Sequence, residues 1–537
     1  MTTDDIISLK SRQKRRLYEP IVLYKALTEI THEQGTLRPA EVPDRPRTEE
    51  ERYYHFLHKL ASICDSTKGG KTVTSIAILD EEEKYKYVFA CNQISDGDLN
   101  DTRDLLTTVL TSLCDFHTFP LAKKNTVQSE ILKKILSFNS PRINFYLNVL
   151  KARNIADCLE YCQLQTDTAG KLDCPHMPRC RIRLTSDIDT SVEEGLRTLG
   201  SVIEDLTFKN MGDNEYLETY STIQFVLDRF LTRDVKSYID IRATNGRFSE
   251  GRSFVCWSEL RHSISRLQSY KKTVQDLIAA ETEWPDIFQE FEVVPVKSSQ
   301  AEPNPLGKKS EKASNIIGRM SSNEASRQQY CDLAENLQRM FDLDDRIQTQ
   351  CTKFTFRPIV HCEILVLEWI MALNRGLARE HHPRVTFFHD WSYIGSSKPA
   401  CQLCRYYFDT AGQHNGIRTR AGHGNLYINW RFPDLHESDG TLGQKRRQSI
   451  FNSMIEKIRQ DAFGILVLRN SEGKRHDSST HPLMSVRYTD VQTELSVGDL
   501  PDVEELGEGF ATGLSLDSPN NSPEESDFDD EDGGTSL

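Results

Sequence analysis

Two short segments hold side chains that could do metal chemistry: His361-Cys362-Glu363 and Pro399-Ala400-Cys401-Gln402-Leu403-Cys404. Zinc in a catalytic site takes three protein ligands and keeps a fourth position for water. Cys401 and Cys404, at C-x-x-C spacing on the first turn of a helix, can both reach one ion. The positive end of that helix also favours their thiolate forms. His361, from a second helix, completes the three ligands. Glu363 is placed beside the metal without binding it, where it can take a proton from the metal's water and hand it to a leaving amine.

Neither half of this pattern is specific alone. H-x-E says little in a chain with 15 histidines, and a C-x-x-C fits a structural zinc site equally well. Together they are specific: they come in order, about 40 residues apart, and each follows a strand-like run and opens a helix. H-x-E followed by P-C-x-x-C is the signature of zinc enzymes that hydrolyse the amino group from a base. The chemistry it implies is attack of zinc-bound hydroxide on the ring carbon, with Glu363 as proton shuttle and ammonia leaving.

The elements that must position these residues can be read from periodicity. The run KFTFRPIV leads into HCEILVLEWIMAL, a mostly apolar helix. VTFFHDWSYIG reads as a strand, CQLCRYYFD as a short helix and GNLYINWRF as another strand. Ile450, Phe451, Met454, Ile455 and Ile458 form one helical stripe, and GILVL and VRYTDVQTEL read as late strands. Alternation of strand and helix argues for a layered α/β domain. Far upstream, Thr48 followed by three glutamates starts a capped helix, and TVTSIAILD and KYKYVFACN read as a β-hairpin over 72–92. Helical spacing runs from about 101 to 295, and 296–326 reads as a polar linker.

The 537 residues exceed one compact core. Thirteen cysteines without an apolar leader favour free thiols and metal ligands over disulfides, and predict a cytoplasmic or nuclear protein. No run suits a membrane helix. From Glu494 onward there are 14 acids and no Lys or Arg. Removing them from the 80 acids leaves 66 against 66 bases, so the net charge of -14 belongs to the tail and does not exclude a nucleic-acid substrate. The tail, 495–537, is predicted to be disordered, either simply keeping the protein soluble or, with Ser515, Ser518 and Ser522, forming a phosphorylated interaction segment. The segment 1–46 reads as polar and partly ordered, its Lys10, Arg12, Lys14, Arg15 and Arg16 forming a solvated helix end or a nuclear-import or phosphate-binding patch.

Residues 355–435, with HCEILVLEW, SSKPACQLCRYYF and HGNLYINWRFPD, resemble the toxin-related deaminase-like family of bacteria and fungi, within the cytidine deaminase-like superfamily. The resemblance implies a mixed sheet flanked by helices, a catalytic zinc (Zn2+) held by His361, Cys401 and Cys404, and hydrolytic deamination of a nucleobase in nucleic acid or a nucleotide. This sequence departs from the motif in two places: Ala400 separates Pro399 from Cys401, and Cys362 fills the middle of H-x-E, where it reads as a buried thiol. The superfamily's sheet begins with a hairpin, so the one at 72–92 is expected to belong to it, with a large all-helical region, 101–350, N-terminal to the site or inserted in the fold. Relatives place an Asn at the end of the second strand against the substrate sugar. Asn92 suits that role or that of a turn residue.

On this reading 47–100 supplies a helix and hairpin, 101–295 the helical region and 327–494 the deaminase-like domain. His423, Asn425, Tyr427 and Trp430 line a base pocket or pack one face of a strand. Lys398 meets a phosphate or solvent, and His381, His382 and His389 show no metal spacing. Cys158, Cys162, Cys174, His176 and Cys180 form a second zinc site or packed thiols. The alternative from another functional class is a zinc-braced binding protein, or pseudoenzyme, that uses the helical region to dock a protein partner.

Overall fold

The computed structural model describes residues 6–33, 46, 48–81, 84–168, 186–209, 211–246, 255–307, 311–382, 384–422 and 424–470. Two helices come first, α1 (Ser11–Glu33) and α2 (Glu49–Ser62), then the hairpin strands β1 (Thr74–Glu81) and β2 (Lys84–Cys91). The helical region is α3 (Asp96–Leu113), α4 (Leu121–Phe138), α5 (Ser140–Val149), α6 (Ile155–Thr168), α7 (Ser186–Ile203), α8 (Asp213–Phe230), α9 (Arg233–Gly246) and α10 (Val255–Glu283). Strand β3 (Phe291–Val296) precedes α11 (Ala313–Met320), α12 (Glu324–Phe341) and α13 (Leu343–Thr352). The last elements are α14 (Cys362–Arg379), β4 (Thr386–Phe387), β5 (Tyr393–Ser396), α15 (Gln402–Phe408), β6 (Arg418–Thr419) and α16 (Gly440–Asn470). No helix among the described residues is long and apolar enough to cross a membrane.

One mixed sheet joins the distant segments, in the order β3-β2-β1-β5-β6, with β4 also pairing β1. The hairpin is antiparallel from Thr74↔Cys91 to Glu81↔Lys84. Ser75↔Ser396 and Ile76↔Gly395 attach it to β5. The hairpin at 74–91 therefore belongs to the same sheet as the C-terminal strands. Gly395 is required there, because a Cβ would lie 2.4 Å from Leu57 Cβ of α2, which crosses β5.

Strand β3 runs parallel to β2, from Tyr85↔Phe291 to Ala90↔Val296. Parallel neighbours need a crossover connection, and here the crossover is the whole of α3–α10. The helical region is thus inserted in the sheet, and it closes at β3 rather than near 350. Helices α11–α13 belong to the other side, where Ile316, Ile317, Leu337 and Ile347 share a core with α1, α14 and α16.

Side chains alternate across a strand, and the hairpin feeds two cores. Ile76, Ile78, Tyr87 and Phe89 share a core with α2 and the helical region. Ala77, Leu79, Val88 and Ala90 pack on α1 and α14.

Several sequence expectations need correction. Helix α1 buries Leu17, Ile21, Val22, Leu23, Leu27 and Ile30, although 1–46 read as partly ordered. Its charges are paired, not merely solvated: Arg15 with Glu19 and Glu311, and Arg319 with both. The stretch 296–326 contains α11, whose Ile316 and Ile317 are fully buried. GILVL is the end of α16, continuing the stripe through Ala462, Ile465 and Leu466, since a five-residue apolar run does not tell strand from helix. KFTFRPIV and GNLYINWRF form no regular strand and pair through the isolated bridge Ile359↔Trp430, with the Arg357 amide also donating to Asn429 Oδ1 at 2.9 Å. VRYTDVQTEL and the acidic tail lie outside the described residues.

Candidate metal centre

His361 is the residue on which α14 starts, with extended backbone and no capping hydrogen bond from its own side chain. Asn92, at the end of β2, does the capping: its Oδ1 accepts from the Cys362 amide at 2.8 Å, and its Nδ2 donates to Gly70 O at 2.8 Å. That leaves the imidazole to turn toward the cysteines. Cys401 caps α15 in turn, its Sγ accepting from the Cys404 amide at 3.4 Å. Both helix N-termini, with their partial positive charge, face the thiols.

The donor atoms converge. His361 Nδ1 lies 3.5 Å from Cys401 Sγ and 3.3 Å from Cys404 Sγ. All three ligand atoms lie within 4.8 Å of one another, and no other such trio of His, Cys, Asp or Glu occurs among the described residues. Zinc–sulfur and zinc–nitrogen bonds at tetrahedral angles place sulfur and nitrogen about 3.6 Å apart, so the donor set fits zinc with little movement. Glu363 is 4% exposed, and its Oε2 sits 3.9 Å from Cys404 Sγ and 3.6 Å from Cys362 Sγ. Cys362 stays outside the trio, its Sγ accepting from Ser75 Oγ at 3.1 Å.

Burial and mutual contact set the charge of these groups against one another. Burial opposes a thiolate at Cys401, but the hydrogen bond with Cys404 and the charge of His361 outweigh it, holding this thiol well below its ordinary value. Burial and the Cys401 thiolate push Cys404 up. Burial works against a charged His361, and Cys401 reverses that, raising it. Burial raises the Glu363 carboxyl, so it retains a proton more readily than a solvated glutamate.

A second polar layer lies behind the cysteines. Arg446 of α16 meets both carboxylate oxygens of Glu368 on α14 at 2.7 Å, and the Tyr407 hydroxyl of α15 donates to the same carboxylate at 2.8 Å. His414 Nε2 donates to Tyr407 O at 2.7 Å, and Arg446 donates to His414 Nδ1 at 3.1 Å. The two helices that carry the metal donors are tied together by this group. Sequence reasoning missed it. The available signal was Glu368 itself, a carboxylate inside an apolar helical run, which demands a partner.

The weaker candidates divide. Trp430 is fully buried and packs on Tyr407 and Phe432; its ring belongs to the core, which corrects the expectation of a base-stacking wall. His423 lies outside the described residues. Asn425 O accepts from the Gln402 amide at 2.9 Å, bracing the start of α15. His381 and His382 follow the far end of α14, an 18-residue helix about 27 Å long, and His389 packs on Phe388 and Trp391. Cys158 and Cys162 are buried in the core of the helical region, while Cys174, His176 and Cys180 lie outside the described residues.

Residues 360–434 match the model of a family described as OTT_1508-like deaminase. The match makes this segment similar to a deaminase-like family. No curated protein and no solved structure matches the chain. The matched residues include all three candidate metal donors and Glu363, and α14, β5 and α15 are the elements that bring them together. The hairpin that completes its sheet lies outside the matched segment.

Proposed function

We propose that the chain is a zinc-dependent hydrolytic deaminase acting on an amino-substituted base carried by a nucleotide or nucleic acid. The observation that carries this reading is the buried Glu363 beside a trio of donors that fits one zinc, within a segment matched by a deaminase family. His361, Cys401 and Cys404 would hold the metal. Zinc bound there would acidify a water and so supply the nucleophile at neutral pH. Glu363 accepts and returns protons beside it, because its carboxyl is buried, uncommitted to an ion pair with Lys or Arg among the described residues, and already raised by burial. Asn92 fixes the start of α14 and with it the directions of His361 and Glu363. A structural zinc site is closed by a fourth protein ligand, and among the described residues the trio has none. The catalytic unit in this reading combines the hairpin at 74–91 with residues of 327–494.

Zinc content per chain, measured on wild type and on Cys401→Ser with Cys404→Ser, tests the metal. The expected result is about one zinc in wild type and none in the double variant. Wild type without zinc, or a double variant that keeps it, overturns the reading. Glu363→Ala should retain zinc and lose about 100- to 10,000-fold in deamination of base substrates. Full zinc with no deamination by wild type would instead make the chain a zinc-braced binding protein.

A further inference from the structure

The loop between α2 and β1, Ser66-Thr67-Lys68-Gly69-Gly70-Lys71-Thr72, takes no part in the chemistry above, yet it touches the site's framework at two points. Asn92 links Gly70 directly to the first amide of α14, next to His361 and Glu363. Lys398, three residues before Cys401, donates from Nζ to Gly69 O at 3.3 Å.

The hydrogen bonding of this loop has a direction. The carbonyls of Asp65 and Thr67 accept from Arg142 Nη1 at 2.9 and 3.3 Å. Those of Gly69, Gly70 and Lys71 accept from Lys398, Asn92 and the Gln93 amide. The amides of Gly69, Gly70 and Lys71 donate to no acceptor among the described residues. Five carbonyls are therefore held by the fold while three successive amides are left to take an external acceptor. Gly69, at φ +105°, allows the backbone turn that produces this.

The loop is also pre-shaped. Arg142, only 5% exposed, pairs with Asp65 at 2.5 Å, and Thr72 Oγ1 donates to the same carboxylate at 2.7 Å. The one carboxylate at the base of the loop is thereby neutralised. Lys71 stands exposed on the loop, and Arg420, whose Nη1 donates to Ser396 O and Ser397 O at 3.4 Å, adds a further positive charge beside Lys398. Successive backbone amides with lysine and arginine around them make an anion site, and phosphate oxygens are its natural acceptors. Gly70-Lys71-Thr72 leads into a strand and not a helix, so this is no P-loop for a triphosphate.

We propose that loop 66–72, with Lys398 and Arg420, is the subsite that takes a phosphate of the substrate. It rests on the deaminase reading and narrows it: the base is presented on a phosphorylated carrier, not as a free base or nucleoside. A single asparagine separates the loop from the start of α14, which suits a phosphate attached to the sugar of the base being processed.

Binding of cytidine, adenosine, their 5′-monophosphates and short single-stranded RNA and DNA to the full chain tests this, with inorganic phosphate as competitor. Phosphorylated ligands should bind at least about tenfold tighter than nucleosides, and phosphate should compete. Lys71→Glu should remove that preference with zinc content and Tm unchanged, and Lys71→Arg should keep it. Affinity that grows with strand length and falls steeply with salt makes the source a nucleic-acid backbone. Affinity that is already complete with the monophosphate makes it a nucleotide; both outcomes support the subsite. Equal binding of nucleoside and monophosphate, binding of neither, or a preference that survives Lys71→Glu overturns it. Wild type that holds zinc and deaminates free nucleosides as well as nucleotides sinks the subsite alone, whereas absence of zinc sinks the deaminase reading whatever the phosphate preference.

Discussion

The two faces of the β1–β2 hairpin are built for different tasks. Toward the helical region, Ile76, Ile78, Tyr87 and Phe89 meet hydrocarbon and aromatic rings, with Tyr53, Phe56, Trp284, Phe388 and Trp391 packed edge and face against one another. Toward α14 the core is also apolar, but it ends in thiols, carboxylates and an arginine whose positions are set by hydrogen bonds. The aromatic face is held by area, which tolerates small shifts. The other face is held by a few directional contacts, each of which leaves a buried charge or donor stranded when broken. Precision near the metal donors therefore depends on polar pairs more than on hydrophobic bulk.

That contrast can be broken by paired substitutions. Arg446→Met leaves Glu368 without its ion pair and should cost about 3–5 kcal/mol, with faster zinc loss to a chelator. Trp257→Ala, in the centre of the helical core, should cost a similar 3–5 kcal/mol but leave the zinc off-rate unchanged. Denaturant unfolding and chelator kinetics on both variants decide the matter, and equal zinc loss would erase the distinction. A smaller effect comes from pH. Burial and the neighbouring Arg446 push His414 down to about 4, against the pull of Glu368 and the Tyr407 carbonyl. The unfolded chain therefore binds the extra proton first. Stability should be complete above about pH 6.5, fall by roughly 3 kcal/mol on the way down to pH 4, and level off below it. His414→Gln should flatten that slope in Tm against pH. The smallest change sits at the junction of the faces. Asn92→Ala removes the cap on Cys362 and the tie to Gly70, and should cost about 1–3 kcal/mol. It should also weaken zinc retention, which a substitution in the aromatic face would not do.

The metal motif was legible because its information is local: ligand identity, spacing and the strand-to-helix junctions are all written within a few residues of His361 and Cys401. The hairpin was legible for the same reason. Its union with β5 was available only through the family resemblance, since nothing in TSIAILDE announces a partner some 320 residues away. Helix α1 reads as a polar, solvated segment because Arg15, Glu19 and its other charged side chains lower its mean hydropathy, while their partners, Arg319 and Glu311, lie some 300 residues downstream. The Glu368–Arg446 pair and the amide-rich loop at 66–72 are invisible for the same physical reason. Each is defined by contacts between segments whose own periodicities carry no trace of one another.

The parallel pairing of β2 with β3 also sets a timetable. Residues Tyr85 and Phe291 face each other across the ladder, and synthesis at about 5–20 residues per second puts roughly 10–40 s between their emergence. During that interval the outer edge of β2 has no strand beside it, and an unpaired edge is a template for another chain. Once β3 has emerged, prompt folding of the helical region limits any further exposure. Slowing it, by destabilising α10 for instance, should reveal itself as aggregation during expression well before any loss is measurable in the finished protein.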